Sequence, residues 1–259
     1  MAFAQTAARR PIEGAVATLG VSDRVAFLRK TYAHLGAALI AFALATAGFF
    51  KLAPEASLKF SGWALNGRLN WIIVIVLFMV VGKISERLAM SESSRGMQYV
   101  GLGLGVAAWS VLLQPVLWIL LFKFGNPDSL SIGEGGVLTG KAAAILMQAV
   151  VITLSIFVGL TATVFLTKKD FSFMRGALAI GSFAALGVIA ASWIFGFSLG
   201  ALFIGAMILL MSGYILFQTS LVMSHFPPSG YVAAALMLFS TVAMLFWYVL
   251  QLLMELNRR

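Results

Sequence analysis

The chain has 259 residues, of which 61% are hydrophobic and only 10% are charged, and its mean hydropathy is +0.99. About a quarter of the residues in a soluble domain are charged, so this composition excludes a soluble fold and predicts an integral membrane protein. The net charge of +9 is scattered between apolar segments without a basic stripe, so we expect no nucleic-acid partner. The absence of cysteine excludes disulfides and thiolate metal sites.

Seven apolar segments follow one another, each close to the ~20 residues that a helix needs to cross a bilayer. They are too long and too uniformly apolar for barrel strands, which predicts an all-α bundle of seven transmembrane helices. The second segment is the weakest because Lys83, Glu86 and Arg87 occupy its last turns. These charges either lie at the membrane interface or enter the bundle interior as a charged gate. The predicted spans are Ala33–Phe50, Asn70–Leu88, Tyr99–Phe122, Ala142–Leu166, Gly176–Phe195, Leu199–Ser224 and Tyr231–Leu256.

Lysine and arginine are more frequent in the segments that lie inside when the N-terminus is placed in the cytoplasm. Cytoplasmic loops carry an excess of these residues, so we predict a cytoplasmic N-terminus and an external C-terminus. Residues 1–30 are then a cytoplasmic tail and residues 31–259 are the transmembrane domain. The tail either serves as a handle for a partner or anchors the chain near anionic lipid.

One short motif suggests an enzyme. The sequence "GFSLG", Gly196–Gly200, matches the G-x-S-x-G pattern of serine hydrolases, which need a histidine and an acid near the serine. The two histidines, His34 and His225, are predicted near the opposite membrane face from Ser198, so we interpret the motif as a tight turn. An intramembrane aspartyl protease needs two aspartates within the bilayer, but the aspartates of this chain fall in predicted tails or loops. Two distant histidines cannot assemble a zinc site without cysteine. We therefore predict no enzymatic activity, no metal site and no cofactor.

Polar side chains within the last two spans are the remaining candidates for a functional site. A structural interpretation is interhelical hydrogen bonding, which contributes ~0.6 kcal/mol per pair on average. A functional interpretation is a polar path for ions or protons. Such paths usually include Asp, Glu or His, and the absence of these residues favours the structural interpretation. The cluster contains Ser212, Tyr214, Gln218, Thr219 and Ser220 in the sixth span, and Ser240 and Thr241 in the seventh.

Two stretches resemble the Bax inhibitor-1 family, namely "FLRKTYAHLGAALIAFALATAGFF" and "SGYILFQTSLVMSHFPPSGYVAAALMLFSTVAMLFWYVLQLL". The stretches "LTKKDFSFMRGAL" and "SGYILFQTS" look closest to its bacterial YccA branch. The resemblance implies a seven-helix bundle with the last helix at its centre, in a bacterial inner membrane. It also implies two functions: modulation of FtsH, a membrane-anchored AAA+ protease of membrane-protein quality control, or a pH-sensitive leak of calcium or another cation.

Gln218 and Thr241 occupy the positions where leak-type members of this family carry two aspartates that share a proton. Two close carboxylates cannot both ionise, so one pKa rises toward physiological pH, but neither Gln nor Thr titrates. The two side chains can hydrogen-bond, yet they offer calcium only neutral oxygens, which bind it more weakly than carboxylates. We therefore expect a protease modulator. The alternative is a cation leak channel without the pH-sensing pair.

Overall fold

The computed structural model describes residues 18, 20–125, 140–167 and 169–258. Regular structure within these ranges is helical, and no strand occurs in them. A 3-10 turn, Ser172–Met174, leads directly into α6. The α-helices in chain order are α1 Val21–Leu52, α2 Pro54–Leu65, α3 Arg68–Ala89, α4 Arg95–Phe124, α5 Gly140–Thr167, α6 Arg175–Phe195, α7 Ala201–His225 and α8 Tyr231–Leu256.

Six of these helices, α1 and α4 to α8, are long and apolar enough to cross a membrane. Their backbone polar groups bond within the helix, which is what a hydrocarbon environment requires. The prediction of an all-α, multi-pass membrane protein is therefore confirmed. The second predicted span, Asn70–Leu88, forms α3, but α3 is not among the six. The count of seven spans stays a prediction.

One helix boundary and one additional helix differ from the sequence prediction. The helix α1 begins at Val21 rather than near Ala33, so it extends into the segment predicted as tail, with Asp23 in its first turn. A short helix, α2, occupies the connection between the first two predicted spans and begins at Pro54, a residue favoured in the first helical turn. Most of the predicted tail, and residues 126–139 between the third and fourth predicted spans, lie outside the described residues.

The chain divides into two compact units. Unit 1 comprises the described residues of Met1–Leu28, Gln148–Pro228 and Thr241–Arg259. Unit 2 comprises those of Arg29–Met147 and Ser229–Ser240. The two units therefore share α1, α5 and α8, each of which contributes one part to either unit.

In unit 2, two glycines bring α4 close to its neighbours. A Cβ atom on Gly101 would lie 2.5 Å from the backbone nitrogen of Ala89, and one on Gly105 would lie 2.5 Å from Cδ1 of Leu236. The hydroxyl of Ser85 donates to the carbonyl oxygen of Gly101 at 2.5 Å. Small residues permit such close helix packing in a membrane, so these glycines set the α3–α4 and α4–α8 distances.

A buried polar cluster attaches α2 to α4 in unit 2. Ser57 Oγ donates to Gln114 Oε1 at 2.8 Å and accepts from Trp118 Nε1 at 2.9 Å. The Trp118 ring also stacks on Phe50, with the ring centroids 4.9 Å apart. Both hydrogen bonds are buried, so α2 is a packed part of unit 2 rather than a loose connection.

In unit 1, α6 packs on α7. The "GFSLG" motif forms the turn between them: Gly196 has a left-handed φ of 75°, and Ser192 Oγ donates to the carbonyl oxygen of Phe197 at 2.6 Å. Glycine tolerates this φ because it lacks a Cβ atom. Further along, a Cβ atom on Gly181 would lie 2.9 Å from Leu210 Cδ1. Glycine therefore supports the turn and close packing in this unit.

Candidate functional site

The candidate site in unit 1 is centred on a direct contact between α7 and α8. Thr241 Oγ1 donates a hydrogen bond of 2.7 Å to Gln218 Oε1. Thr241 is 7% exposed and Gln218 is half-buried, so most of the contact is buried. Both groups are neutral at every physiological pH, so the contact links two membrane helices without carrying a charge.

Ser220 lies two residues beyond Gln218 and binds a different element. Its hydroxyl donates to Asp170 Oδ1 at 3.0 Å and accepts from the backbone N–H of Phe171 at 3.1 Å. Asp170 also accepts hydrogen bonds of 2.8 Å from the backbone N–H and the hydroxyl of Ser172. The segment before α6 is therefore attached to the last turns of α7, next to the Gln218–Thr241 contact.

The hydrogen bonds to Asp170 change its acidity. Partial burial raises the pKa of this carboxyl, but the bonds from Ser172 and Ser220, helped by the charge of His225, outweigh burial. The pKa therefore lies below its ordinary value of 3.8. Asp170 is ionised at neutral pH, since hydrogen bonds to the charged form favour it. Asp170 is thus an anion that lies outside the membrane spans and is bonded to α7 through Ser220.

The other predicted cluster members lie in several local environments. Ser212 Oγ donates to the carbonyl of Ile208 within α7 at 2.8 Å, and the Tyr214 hydroxyl lies 2.9 Å from Ser182 Oγ on α6. The Thr219 hydroxyl is buried without a hydrogen-bond partner in the described part of the chain. Ser240 is half-buried and belongs to unit 2. None of these four side chains hydrogen-bonds to Gln218 or Thr241 within the described residues, and their supporting role stays a prediction.

The charged residues proposed as a gate lie on the surface. Lys83, Glu86 and Arg87 are all exposed on α3. Ser85 and Ala89 occupy the buried face of the same helix, which packs on α4. The three charged side chains are therefore exposed rather than packed in the interior of unit 2, and a charged gate formed by them stays a prediction.

The geometry of the candidate site fits hydrogen bonds that hold helices together better than it fits catalysis or metal binding. No group of three or more His, Asp or Glu side chains that could hold a metal ion occurs within the described residues. Sequence reasoning placed Asp170 in a loop, as the structure does, but assigned it no contact there. The available signal was local: an Asp two residues before Ser172 is typical of a turn in which the carboxylate accepts the backbone N–H.

The sequence is similar to one protein family and to proteins of several organisms. A family model described as "Inhibitor of apoptosis-promoting Bax1" matches residues 24–259. The chain is 32% identical to "Bax inhibitor 1" of Schizosaccharomyces pombe, over 92% of this chain and 79% of that protein. It is 24% identical to "Protein lifeguard 4" of Mus musculus, over 94% and 91% of the two chains. An uncharacterized protein of Pseudomonas aeruginosa is 30% identical over 57% of this chain and 69% of its own length. No solved structure matches.

Proposed function

The chain belongs to the Bax inhibitor-1 family, and from this premise we propose that it modulates a membrane-anchored AAA+ protease of the FtsH type. It acts in a bacterial inner membrane, with its N-terminus in the cytoplasm, as a quality-control partner rather than as an enzyme. The similarity to a Pseudomonas aeruginosa protein supports the bacterial assignment. In this proposal α3 also crosses the membrane, as the second of seven spans, and α8 lies at the centre of the bundle. The high buried share of α8, 72% of its most apolar window, supports that position.

The observation that carries the proposal is the neutral contact between Gln218 and Thr241. A pH-gated pathway needs a group at this point whose charge changes with pH, because protonation supplies the free energy that separates the open and closed states. The amide of Gln218 and the hydroxyl of Thr241 do not titrate, so they supply none of this free energy. A pair that stays hydrogen-bonded at all physiological pH values suits a protein whose role is to present a constant surface to a partner.

The test is co-purification of the full chain with the protease from membranes of the host bacterium, followed by measurement of substrate turnover. We expect the solubilised, tagged chain to retain the protease, and overproduction of the chain to slow degradation of membrane substrates. Because α1 begins at Val21, the cytoplasmic handle is tested by deleting residues 1–17, which leaves the helix whole. We expect the deletion to reduce the effect on turnover while membrane insertion is kept.

The matched control replaces residues 1–17 by a Gly/Ser segment of equal length, which preserves reach but removes the native side chains. If this control acts like the full chain, the tail supplies only length and is not a recognised handle. If the full chain retains no protease and a deletion strain degrades membrane substrates at the normal rate, the proposed function is wrong.

The alternative function is a cation leak that pH does not gate. The observation in its favour is that Gln218 and Thr241 meet across α7 and α8, as the two carboxylates of leak-type relatives would. We test it with the purified chain in liposomes loaded with a calcium dye. The wild-type chain should give no pH-dependent flux. Gln218→Asp combined with Thr241→Asp should create such flux only if a pathway exists, whereas Gln218→Asn with Thr241→Ser should not.

A further inference from the structure

A group of basic and aromatic side chains in unit 2 has no role in the proposed function. Lys30 and His34 lie one turn apart on α1, Arg95 and Tyr99 lie one turn apart on α4, and Tyr231 is the first residue of α8. We call these five residues the basic–aromatic cluster. His34 Nε2 lies 3.0 Å from the Tyr99 hydroxyl, and Lys30 Nζ lies 5.6 Å from the centroid of the Tyr231 ring. The beginnings of α4 and α8 therefore meet the same turn of α1.

The aromatic part of the cluster is held in a defined arrangement. The His34 ring stacks on Tyr99, with centroids 5.6 Å apart, and lies 5.0 Å from the ring of Tyr231. Its Nδ1 lies 2.7 Å from the carbonyl oxygen of Lys30. A carbonyl can only accept, so Nδ1 carries the hydrogen, and Nε2 is directed at Tyr99. The ring thereby fixes both tyrosines beside the two cations.

The charges of the cluster are all positive. Lys30 and Arg95 are exposed, and neither forms an ion pair with an acidic group within the described residues. Glu92, which lies shortly before Arg95, is likewise exposed and forms no ion pair there. The first turns of α4 and α8 add the positive ends of two long helix dipoles. A phosphate group would neutralise this excess, and lysine and arginine side chains both donate hydrogen bonds to phosphate oxygens.

The surface next to the cluster is apolar. Lys30 lies on the same face of α1 as Ala33, Ala37, Ile40 and Leu44, since these residues recur at helical spacing, and all four are exposed. Ile40 and Leu44 are 64% and 68% exposed. An exposed cation at the head of an exposed apolar stripe on a membrane helix matches the two parts of a phospholipid, a charged headgroup and an acyl chain.

We propose that the basic–aromatic cluster binds the phosphate headgroup of an anionic phospholipid. Lys30 and Arg95 contact the phosphate oxygens, and Tyr99 and Tyr231 border the headgroup at the membrane interface. One acyl chain lies along Ala37, Ile40 and Leu44. Free inorganic phosphate shares the headgroup chemistry but has no acyl chain, so it does not use this apolar stripe.

The experiment uses the full chain in a neutral detergent, with lipid binding followed by native mass spectrometry and by thermal unfolding. The probes are phosphatidylglycerol, phosphatidylcholine and inorganic phosphate. We expect phosphatidylglycerol alone to remain bound and to raise the unfolding temperature. The double variant Lys30→Gln/Arg95→Gln should bind phosphatidylglycerol roughly tenfold or more weakly, since each cation near an anionic lipid headgroup contributes to binding.

The matched control is Lys51→Gln/Lys123→Gln, which removes the same charge from the last turns of the same two helices, α1 and α4. This control should bind like the wild type. If it loses binding equally, the effect is one of net charge and the proposal is wrong. Equal stabilisation by inorganic phosphate, or by phosphatidylcholine, also overturns it.

A charge-preserving variant, Lys30→Arg/Arg95→Lys, covers the case in which the neutral variant does not fold. It keeps both cations and should keep phosphatidylglycerol binding within a few-fold of the wild type. Loss of binding in a folded charge-preserving variant would contradict a site that recognises phosphate through these two charges.

Discussion

At the scale of single residues, the bond from Thr241 to Gln218 is a measurable link between α7 and α8. Thr241→Val keeps the shape of the side chain and removes the donor. We expect a loss of ~0.6 kcal/mol in the free energy of unfolding, and at most about 1.7 kcal/mol, as for other interhelical hydrogen bonds in membranes. Reversible unfolding in bicelles measures it. The control, Ser212→Ala, removes a hydrogen bond made only within α7 and should change the free energy of unfolding less. An equal loss would mean that the α7–α8 bond stabilises the fold no more than a bond within one helix.

At the scale of elements, the α3–α4 packing depends on the absence of a side chain at Gly101. Gly101→Ala should destabilise the protein by roughly 1–3 kcal/mol, because its Cβ would lie 2.5 Å from the Ala89 backbone nitrogen and the two helices would have to separate. Gly103→Ala is the matched control on the same helix, since a Cβ there meets nothing within 4 Å. It should be neutral or slightly stabilising, because alanine favours helix. Thermal unfolding measures the stability of both variants. Equal unfolding temperatures for Gly101→Ala and Gly103→Ala would show that the α3–α4 packing does not depend on Gly101.

The attachment of the pre-α6 segment to α7 is also an element-scale contact, and it depends on pH. The folded state holds Asp170 at a pKa below 3.8, so the bound carboxylate contributes stability above that value. This contribution is lost as the pH falls through the folded pKa. We therefore expect Asp170→Asn to remove part of the acid sensitivity of unfolding, and to lower stability at neutral pH. Unfolding curves between neutral and strongly acidic pH measure both. An unchanged acid dependence in the variant would contradict the role given to this carboxylate.

At the scale of the whole molecule, the open question is whether α3 crosses the membrane. The chain has no cysteine, so single cysteines can be introduced without altering a background thiol. Asn66 and Ser93 are exposed just before and just after α3. If α3 crosses the membrane as the second span, Asn66→Cys should react with a membrane-impermeant maleimide in intact cells. Ser93→Cys should react only after permeabilisation. Labelling of both from the same side would show that α3 does not cross.

The long apolar helices could be predicted from the sequence because length and hydropathy are local properties. The helix ends could not, since hydropathy marks only the hydrocarbon region. The helix α1 continues outward to Val21 through Arg29 and Lys30, which are good helix formers that need no apolar surroundings. The helix α2 was missed because its composition is that of a connection, although Pro54 already indicated a helical start.

The candidate site could be predicted only where the family pattern names positions, as it does for Gln218 and Thr241. A hydrogen bond between their two side chains was expected, and the structure contains it. The bond between Ser220 and Asp170 joins residues that are distant in sequence, and it depends on how a turn folds over α7. Burial of Ser85 and exposure of Lys83 likewise depend on which face of α3 meets α4, and hydropathy alone does not specify that face.

The attachment of α2 through Ser57 also constrains the order in which the protein is made. Its two partners, Gln114 and Trp118, lie near the end of α4, so they leave the ribosome long after α2 itself. Until then the Ser57 hydroxyl needs another partner, such as water or a carbonyl of its own helix. Synthesis of α4 therefore completes the buried polar cluster that attaches α2 to α4. A chain arrested before Trp118 would leave α2 accessible to proteases.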